Sequence, residues 1–205
     1  MHRHNNGPRG TAAGERRGAR QLCVTAALIL SAGLTLPASV ASGPHVIVGE
    51  RRGVYTVEAT FGVSQPASSA RAVLTDYEDI PRFMPDVRRS TVLERVDGRT
   101  VVEQEAVARV MMFSKRIHLV LEVHEESGTI RFRDRCGTSF AHYEGSWTLT
   151  ERHGETSIAY QLTAQPSFDV PEFLVKRLLK RDATQMIASL QAEIAARSRR
   201  TGGQP

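Results

Sequence analysis

Cysteine is scarce in this sequence, with only Cys23 and Cys136 among 205 residues. We expect Cys23 to leave with an N-terminal leader, since it lies at the beginning of an apolar stretch and not at its end, where a lipoprotein is cut. Cys136 then remains alone, which excludes an internal disulfide. Stability must come from an apolar core, and a domain of about 160 residues buries roughly 68–70% of the surface of its unfolded chain.

The sequence also lacks the recognisable arrangements of a reactive or metal-binding site. No histidine pair has metal-ligand spacing, no Ser-His-Asp order is evident, and no glycine-rich loop is suited to a phosphate. We therefore predict no metal and no cofactor. His118 and His124 fall on the outward register of their strand. Asp134 lies on the inward register, where an unpaired carboxylate is costly, so it is a weak catalytic candidate. Pairing with an arginine at a strand end is the alternative.

Residues 1–41 differ in composition from the rest of the chain and predict a signal peptide. A basic segment precedes LCVTAALILSAGLTL (residues 22–36), which is shorter than the roughly 20 apolar residues of a membrane span. Ser39-Val40-Ala41 fits the small residues that signal peptidase accepts, so we expect cleavage after Ala41. The chain is then periplasmic or extracellular. Membrane anchoring by an uncleaved leader is the alternative.

Positive charge is concentrated in that leader, whose first 20 residues carry +4 of the formal net charge of +5. The charged residues there are Arg3, Arg9, Glu15, Arg16, Arg17 and Arg20. Because the remainder is nearly neutral, we expect no nucleic-acid partner. One basic cluster near the C-terminus is either the solvated face of a helix or a peripheral contact with an anionic membrane. Its residues are Lys176, Arg177, Lys180 and Arg181.

Hydrophobic periodicity predicts an α+β domain at residues 54–197, after an irregular linker at 42–53 and before a disordered tail at 198–205. Two short helices are expected after the first strand, one capped by Ser68 or Ser69 and the other at Tyr77–Met84. A long amphipathic helix is predicted from Val170 to about Arg197. This order of about seven strands and three helices predicts a curved antiparallel sheet around the last helix. The predicted strands are Val54–Val63, Val87–Val96, Thr100–Phe113, Arg116–His124, Thr129–Arg135, Phe140–Thr150 and Thr156–Ala164.

Two segments resemble a known family. AVLTDYEDIPRFMP at residues 72–85 is similar to the segment that spans the two short helices in relatives, and EGSWTL at residues 144–149 resembles their G-x-W strand. Pro171 and Phe173 open the last helix as in relatives. On these residues the chain is identified as a member of the START-like (SRPBCC) superfamily, in its polyketide cyclase/dehydrase and coenzyme Q-binding group. The resemblance implies the helix-grip fold.

Strand alternation and the two short helices predict which side chains line a cavity between the sheet and the last helix. Ordinary core packing is the alternative for several of them. On the outward register, Glu103, Glu105 and Arg109 with Arg131, Arg133 and Arg135 predict a solvated ladder of opposite charges. The predicted lining is Tyr77, Phe83, Met84, Val110, Met112, Ile117, Leu119, Leu121, Phe132, Trp147, Phe173 and Met186.

These observations favour an exported protein that holds a lipid, a quinone or a polyketide-like molecule without transforming it. The absence of a reactive arrangement supports this interpretation. An aromatase/cyclase-type enzyme, in which the same cavity folds a reactive apolar substrate by its shape, is the alternative.

Overall fold

The computed structural model describes residues 44–110 and 113–202, apart from the side chains of Val110, Phe113 and Gly202. The predicted signal peptide lies outside the described residues. The helices are α1 (Ala67–Leu74), α2 (Ile80–Phe83) and α3 (Glu172–Gly202), with a 3₁₀ turn at Tyr77–Asp79. Within the described ranges, no helix has the length and apolarity needed to cross a membrane. The strands are β1 (His45–Arg51), β2 (Val54–Val63), β3 (Val87–Val96), β4 (Arg99–Val110), β5 (Phe113–Glu126), β6 (Thr129–Asp134), β7 (Phe140–Arg152) and β8 (Glu155–Pro166).

The eight strands form one antiparallel sheet in the order β1-β2-β8-β7-β6-β5-β4-β3. Side chains alternate between buried and exposed along β2, as expected of a strand with one face on the core. The buried face packs against α3, where Val57 and Phe61 of β2 belong to the same apolar cluster as Ile187 and Ile194 of the helix. The predicted α+β helix-grip fold is confirmed, with one strand more than expected.

The additional strand is β1, which corrects the prediction of an irregular linker at 42–53. Its alternation is hard to recognise because the outward-facing Ile47 is apolar and 51% exposed. The turn that joins β1 to β2 is also atypical, since Arg52 and Gly53 have φ angles of 55° and 78°. Such two-residue hairpin turns favour asparagine, aspartate or glycine at both positions, so an arginine conceals the signal.

The helix ends differ from the predictions in two places. Pro66, and not Ser68 or Ser69, is the N-cap residue of α1, and its own side chain makes no capping hydrogen bond. The Ala67 amide in the first turn instead donates a hydrogen bond of 2.8 Å to the Glu151 carboxylate. At the other end of the chain, α3 continues to Gly202 and corrects the prediction of a disordered tail for residues 198–202. Residues 203–205 lie outside the described part.

A cluster of charges around Glu193 connects α3 to the short helices. The Glu193 side chain is only 6% exposed. It accepts hydrogen bonds from Arg82 and, at 2.7 Å, from Arg197. Arg197 also donates hydrogen bonds of 2.6 Å to Asp76 and Asp79. Burial raises the pKa of Glu193, but the hydrogen bonds from Arg197 and Arg82 outweigh it and leave the pKa below its usual range. The cluster therefore holds the 3₁₀ turn and α2 against α3.

Charged residues cover the outer face of the sheet, as the strand alternation predicts. These charges form pairs of opposite sign, but none of the six predicted residues pairs with another of them, because β5 lies between β4 and β6. Their partners come from β5, from β3 and from Asp86, which precedes β3. The ion pairs are Arg89 with Glu103 and Glu105, Arg109 with Asp86, Arg131 with Glu126, and Arg133 and Arg135 with Glu122.

Glu122 is the buried centre of this outer face, with an exposed fraction of 7%. Arg133 donates hydrogen bonds of 2.6 and 3.0 Å to one of its carboxylate oxygens, and Arg99 lies 3.4 Å from the other. The hydrogen bonds from Arg133 and His124 lower the pKa of Glu122 from 4.5 to about 2. Since its folded-state pKa is depressed, Glu122 contributes stability above its ordinary pKa, and this contribution is lost as the pH falls toward 2.

We predict that Glu122→Gln lowers the melting temperature at about pH 7 and that the difference from the unmodified chain narrows between about pH 5 and pH 2. Melting curves recorded across this range test the prediction. Glu126→Gln is the matched control, because Glu126 pairs with Arg131 but is 57% exposed. If the difference in melting temperature between Glu122→Gln and the unmodified chain does not change with pH, the lowered pKa assigned to Glu122 is wrong.

Candidate functional site

A cavity of about 850 Å³ lies between the inner face of the sheet and α3. Its volume is within the range of about 300–1,000 Å³ that is typical of small-molecule sites. Strands β4 to β8 form one wall, α3 forms the opposite wall, and the 3₁₀ turn with α2 closes one side. Protein interiors are usually packed too closely to leave such a space, so the sheet and the helix enclose room for a guest.

The walls of the cavity are mainly aliphatic and aromatic. On β5 the alternating residues Ile117, Leu119, Leu121 and Val123 all face the cavity, because strand side chains two positions apart lie on the same face. From α3, four leucines and a methionine also line the space. These helix residues are Leu174, Leu178, Leu179, Leu190 and Met186.

Nine of the twelve side chains predicted to line the cavity do line it. Their contact with a ligand stays a prediction. Met112 and the side chain of Val110 lie outside the described residues. These nine are Tyr77, Phe83, Met84, Ile117, Leu119, Leu121, Phe132, Trp147 and Met186.

Phe173 is corrected by the structure, because its side chain is 69% exposed and does not contribute to the cavity wall. It lies in the first turn of α3, which begins at Glu172. The neighbouring Leu174 and Val175 line the cavity instead. The aromatic residue that opens the helix therefore points to solvent.

Asp134, the weak catalytic candidate, is also corrected. It lies at the end of β6 and does not contribute to the cavity wall. One carboxylate oxygen accepts a hydrogen bond of 2.8 Å from the Val120 amide, and the other accepts one of 2.9 Å from the Gly137 amide. The Cys136 thiol lies 3.2 Å from the first oxygen. These contacts organise the turn after β6, which explains an acidic residue on the inward register.

Aromatic rings from β6, β7 and β8 form a continuous part of the cavity wall. The ring centroids of Trp147 and Tyr160 are 4.3 Å apart. Phe132 stacks on Tyr160 at 6.4 Å with an interplanar angle of 19° and lies 6.0 Å from Tyr143. Tyr143 in turn lies 4.8 Å from Phe140. We refer to Phe132, Phe140, Tyr143, Trp147 and Tyr160 as the aromatic wall.

Tyr143 and Tyr160 belong to the site but are not among the predicted lining residues. A signal for both was present in the sequence. Tyr143 lies two inward positions before Trp147 on β7, and Tyr160 is the cross-strand partner of Trp147 on β8. Extending the alternation from Trp147 along its own strand and across to the next strand identifies both phenols.

Gly145 makes the aromatic wall possible. A side-chain Cβ at this position would lie 2.3 Å from the Gln161 carbonyl oxygen and 2.5 Å from the Phe132 ring. The absence of a side chain lets the Phe132 ring lie directly on β7. Gly145 therefore permits the close packing of β6 against β7 at this point of the sheet.

The polar groups of the cavity wall are few and mostly paired. Tyr77 donates a hydrogen bond of 2.8 Å to Glu125. Tyr143 and Tyr160 both line the cavity, and burial raises the pKa of Tyr143 to about 12. Burial also raises the pKa of Asp182, whose carboxylate accepts a hydrogen bond of 2.9 Å from Arg181. These groups can orient a guest, while the aliphatic and aromatic walls supply most of the contact surface.

The histidines predicted on the outward register lie on the outer face of the sheet. His118 is 3.1 Å from Glu103, and His124 is 3.3 Å from Glu122. Neither histidine belongs to the cavity wall. These two imidazoles therefore lie outside the candidate site.

A family model described as "Polyketide cyclase / dehydrase and lipid transport" matches residues 63–191. Comparison with curated proteins found no match. Among solved structures, a STAR-related lipid transfer protein from Xanthomonas axonopodis is 19% identical with a TM-score of 0.63, over 77% of this chain and 97% of that chain. The Zhui aromatase/cyclase from a Streptomyces species is 17% identical with a TM-score of 0.64, over 74% and 99%. Human STARD10 is 12% identical with a TM-score of 0.58, over 77% and 75%. At these identities the structural likeness establishes the fold alone.

We predict that Gly145→Ala lowers the free energy of unfolding by about 1–3 kcal/mol, because the added methyl group overlaps a backbone oxygen and an aromatic ring. Urea denaturation measures this change. Gly62→Ala is the matched control on β2, since a Cβ there meets nothing within 4 Å. The control is expected to change stability by less than about 0.5 kcal/mol. Equal effects of the two substitutions contradict the role of Gly145.

Proposed function

Because the chain belongs to the family described as polyketide cyclase / dehydrase and lipid transport, we propose that it is a carrier that holds an apolar small molecule between the sheet and α3. The observation that carries the proposal is the cavity of about 850 Å³ with predominantly apolar walls. Lipids, quinones and polyketide-like molecules are the candidate guests, since each has a large apolar surface.

Burial of apolar surface is sufficient to hold such a guest. Each buried CH₂ group contributes about 0.8 kcal/mol, so a guest with about ten such groups gains about 8 kcal/mol before the entropic losses of association. This gain needs no charged partner in the cavity. It therefore accounts for binding by walls in which few polar groups are available.

The second candidate function is an aromatase/cyclase-type reaction in the same cavity. Asp182 favours it, because this partly buried carboxylate lies in the cavity wall and burial raises its pKa. The pairing of Asp182 with Arg181 and the engagement of Asp134 in a turn favour the carrier instead. Turnover of a linear polyketide that is lost in Asp182→Asn would support the enzyme, and binding without turnover supports the carrier.

The carrier is proposed to act outside the cytoplasm. The support for export is the basic segment, the apolar stretch at residues 22–36 and the small residues before Ser42. Cleavage after Ala41 would release the mature chain into the periplasm or the medium. An uncleaved leader would keep the same domain at the membrane surface.

We predict that the full chain, expressed and recovered from separated cell fractions, is found in the exported fraction as a species that begins at Ser42 and carries an apolar compound. Native mass spectrometry and organic extraction identify both properties. Ala106→Phe is expected to reduce the extracted compound at least about tenfold, since Ala106 lines the cavity and a phenyl ring occupies part of its volume.

Ala141→Phe is the matched control for this experiment, because Ala141 is exposed and does not contribute to the cavity wall. Equal amounts of compound in the two variants place the compound elsewhere and contradict the carrier. A chain that retains Met1 in the cytosolic fraction contradicts export but leaves the cavity as a binding site.

We further propose that the start of α3 contacts an anionic membrane when cargo is exchanged. Phe173 is 69% exposed, and Arg177 and Lys180 are exposed on the following turns of the same helix. Leu174 and Leu178 of this segment line the cavity, so a membrane at this position would lie beside the guest. An exposed aromatic ring among cations suits the interface between lipid headgroups and acyl chains.

We predict that the chain sediments with vesicles that contain phosphatidylserine and that Phe173→Ser weakens this binding about tenfold, through loss of the inserted ring. Leu93→Ser is the control, because Leu93 on β3 is also apolar and 55% exposed. Binding that is insensitive to Phe173→Ser, or that is equal for neutral vesicles, argues against this contact.

A further inference from the structure

Strand β5 shows that the cavity is elongated. Its lining side chains form a single row, because alternate residues of a strand lie on the same face. The row consists of Lys115, Ile117, Leu119, Leu121 and Val123. At about 3.3 Å per residue, the distance from Lys115 to Val123 along the strand is roughly 26 Å. The cavity can therefore take a long molecule in an extended conformation.

The two ends of this row differ in their exposure to solvent. Lys115 is exposed, whereas Val123 is buried. Trp147 lies further in the direction of Val123, since it pairs with Ile130 and Ile130 pairs with Glu125 of β5. Both Trp147 and Ile130 are buried and line the cavity. The row thus begins at solvent beside Lys115 and leads to an enclosed end beside Trp147.

The charged residues of the cavity wall differ in whether they have a counterion. Asp86 accepts a hydrogen bond of 2.9 Å from Arg109, and Asp182 accepts one of 2.8 Å from Arg181. Among the lining residues that the structure describes, Lys115 is the only one with a cationic side chain. Within residues 44–110 and 113–202, no ion pair of Lys115 is found. Its positive charge is therefore available to a guest.

Phe168 positions the Lys115 ammonium at the open end of the cavity. The Lys115 Nζ lies 4.7 Å from the centroid of the Phe168 ring, and both residues line the cavity. The ring attracts the cation but takes up none of its N–H donors in a conventional hydrogen bond. Asp169, which follows Phe168, is exposed in the loop before α3 and is not paired with Lys115 in the described part of the chain. The ammonium can thus donate to an anion at the entrance.

We infer that the cavity takes a long-chain amphiphile with an anionic head group, which contacts Lys115 while the apolar end lies beside Trp147. This inference rests on the proposed function, since it requires that the cavity hold a guest. A cationic head group would find Asp86 and Asp182 already paired with arginines. The anion gains a free counterion at Lys115, and the chain gains the apolar walls beyond it.

Laurate, lauryl alcohol and laurylamine test the head group, because they share one alkyl chain and differ in charge. After removal of co-purified lipid, equilibrium dialysis of the full chain at low salt is expected to show about 3- to 10-fold tighter binding of laurate than of lauryl alcohol, the gain from one charge-assisted hydrogen bond at an exposed site. Lys115→Met is expected to abolish this preference, because methionine keeps an apolar stem and removes the charge. Arg116→Met is the matched control and is expected to keep the preference, since Arg116 is exposed on the same strand and does not contribute to the cavity wall.

Spin-labelled stearic acids measure the orientation of the guest and need no variant. A nitroxide next to the carboxylate is expected to lose its electron paramagnetic resonance signal in ascorbate faster than a nitroxide near the methyl end, because the enclosed end of the cavity excludes the reductant. Equal rates, or the reverse order, overturn the inference. A laurate preference that persists in Lys115→Met also overturns it. Equal binding of laurate and lauryl alcohol, or tighter binding of laurylamine, overturns it as well but supports the carrier, whereas binding of none of the three counts against both.

Discussion

Helix α3 meets the sheet differently along its length, and the cavity depends on this difference. In the C-terminal half, Ile187 and Ile194 are completely buried, and the ion pairs of Glu193 hold the helix against the short helices. In the N-terminal half, Leu174 and Leu178 are only partly buried and face open space. One helix thus provides a packed anchor at one end and a detached wall at the other.

This arrangement separates the part of the domain that stabilises it from the part that encloses the cavity. Side chains around an empty space lose the dispersion contacts that close packing provides, so the cavity lowers the stability of the domain. The packed half of α3 and the ion pairs of the outer face offset this loss without entering the cavity. Aliphatic and aromatic walls are therefore compatible with a stable fold.

The parts of the fold that follow strict alternation are predictable from the sequence, while those that depend on unusual backbone angles are not. β2 and β3 occupy the predicted Val54–Val63 and Val87–Val96. β1 is not recognisable in the sequence, because the turn after it has an arginine, Arg52, in the left-handed conformation. In the site, periodicity identifies the β5 residues that line the cavity but wrongly places Phe173 among the lining residues. A periodic pattern does not show at which residue of a helix the contact with the cavity begins. The pairing of Asp134 with two amides depends on a turn that no periodic pattern describes.

The position of Trp147 makes the cavity visible to spectroscopy. It is the only tryptophan of the chain and lies in the aromatic wall, 4.3 Å from Tyr160. Its indole emission and near-ultraviolet circular dichroism arise from the surface that a guest would touch. The unlabelled protein therefore carries its own optical reporter of occupancy, so that filling and emptying can be followed in real time before the chemical identity of the guest is known.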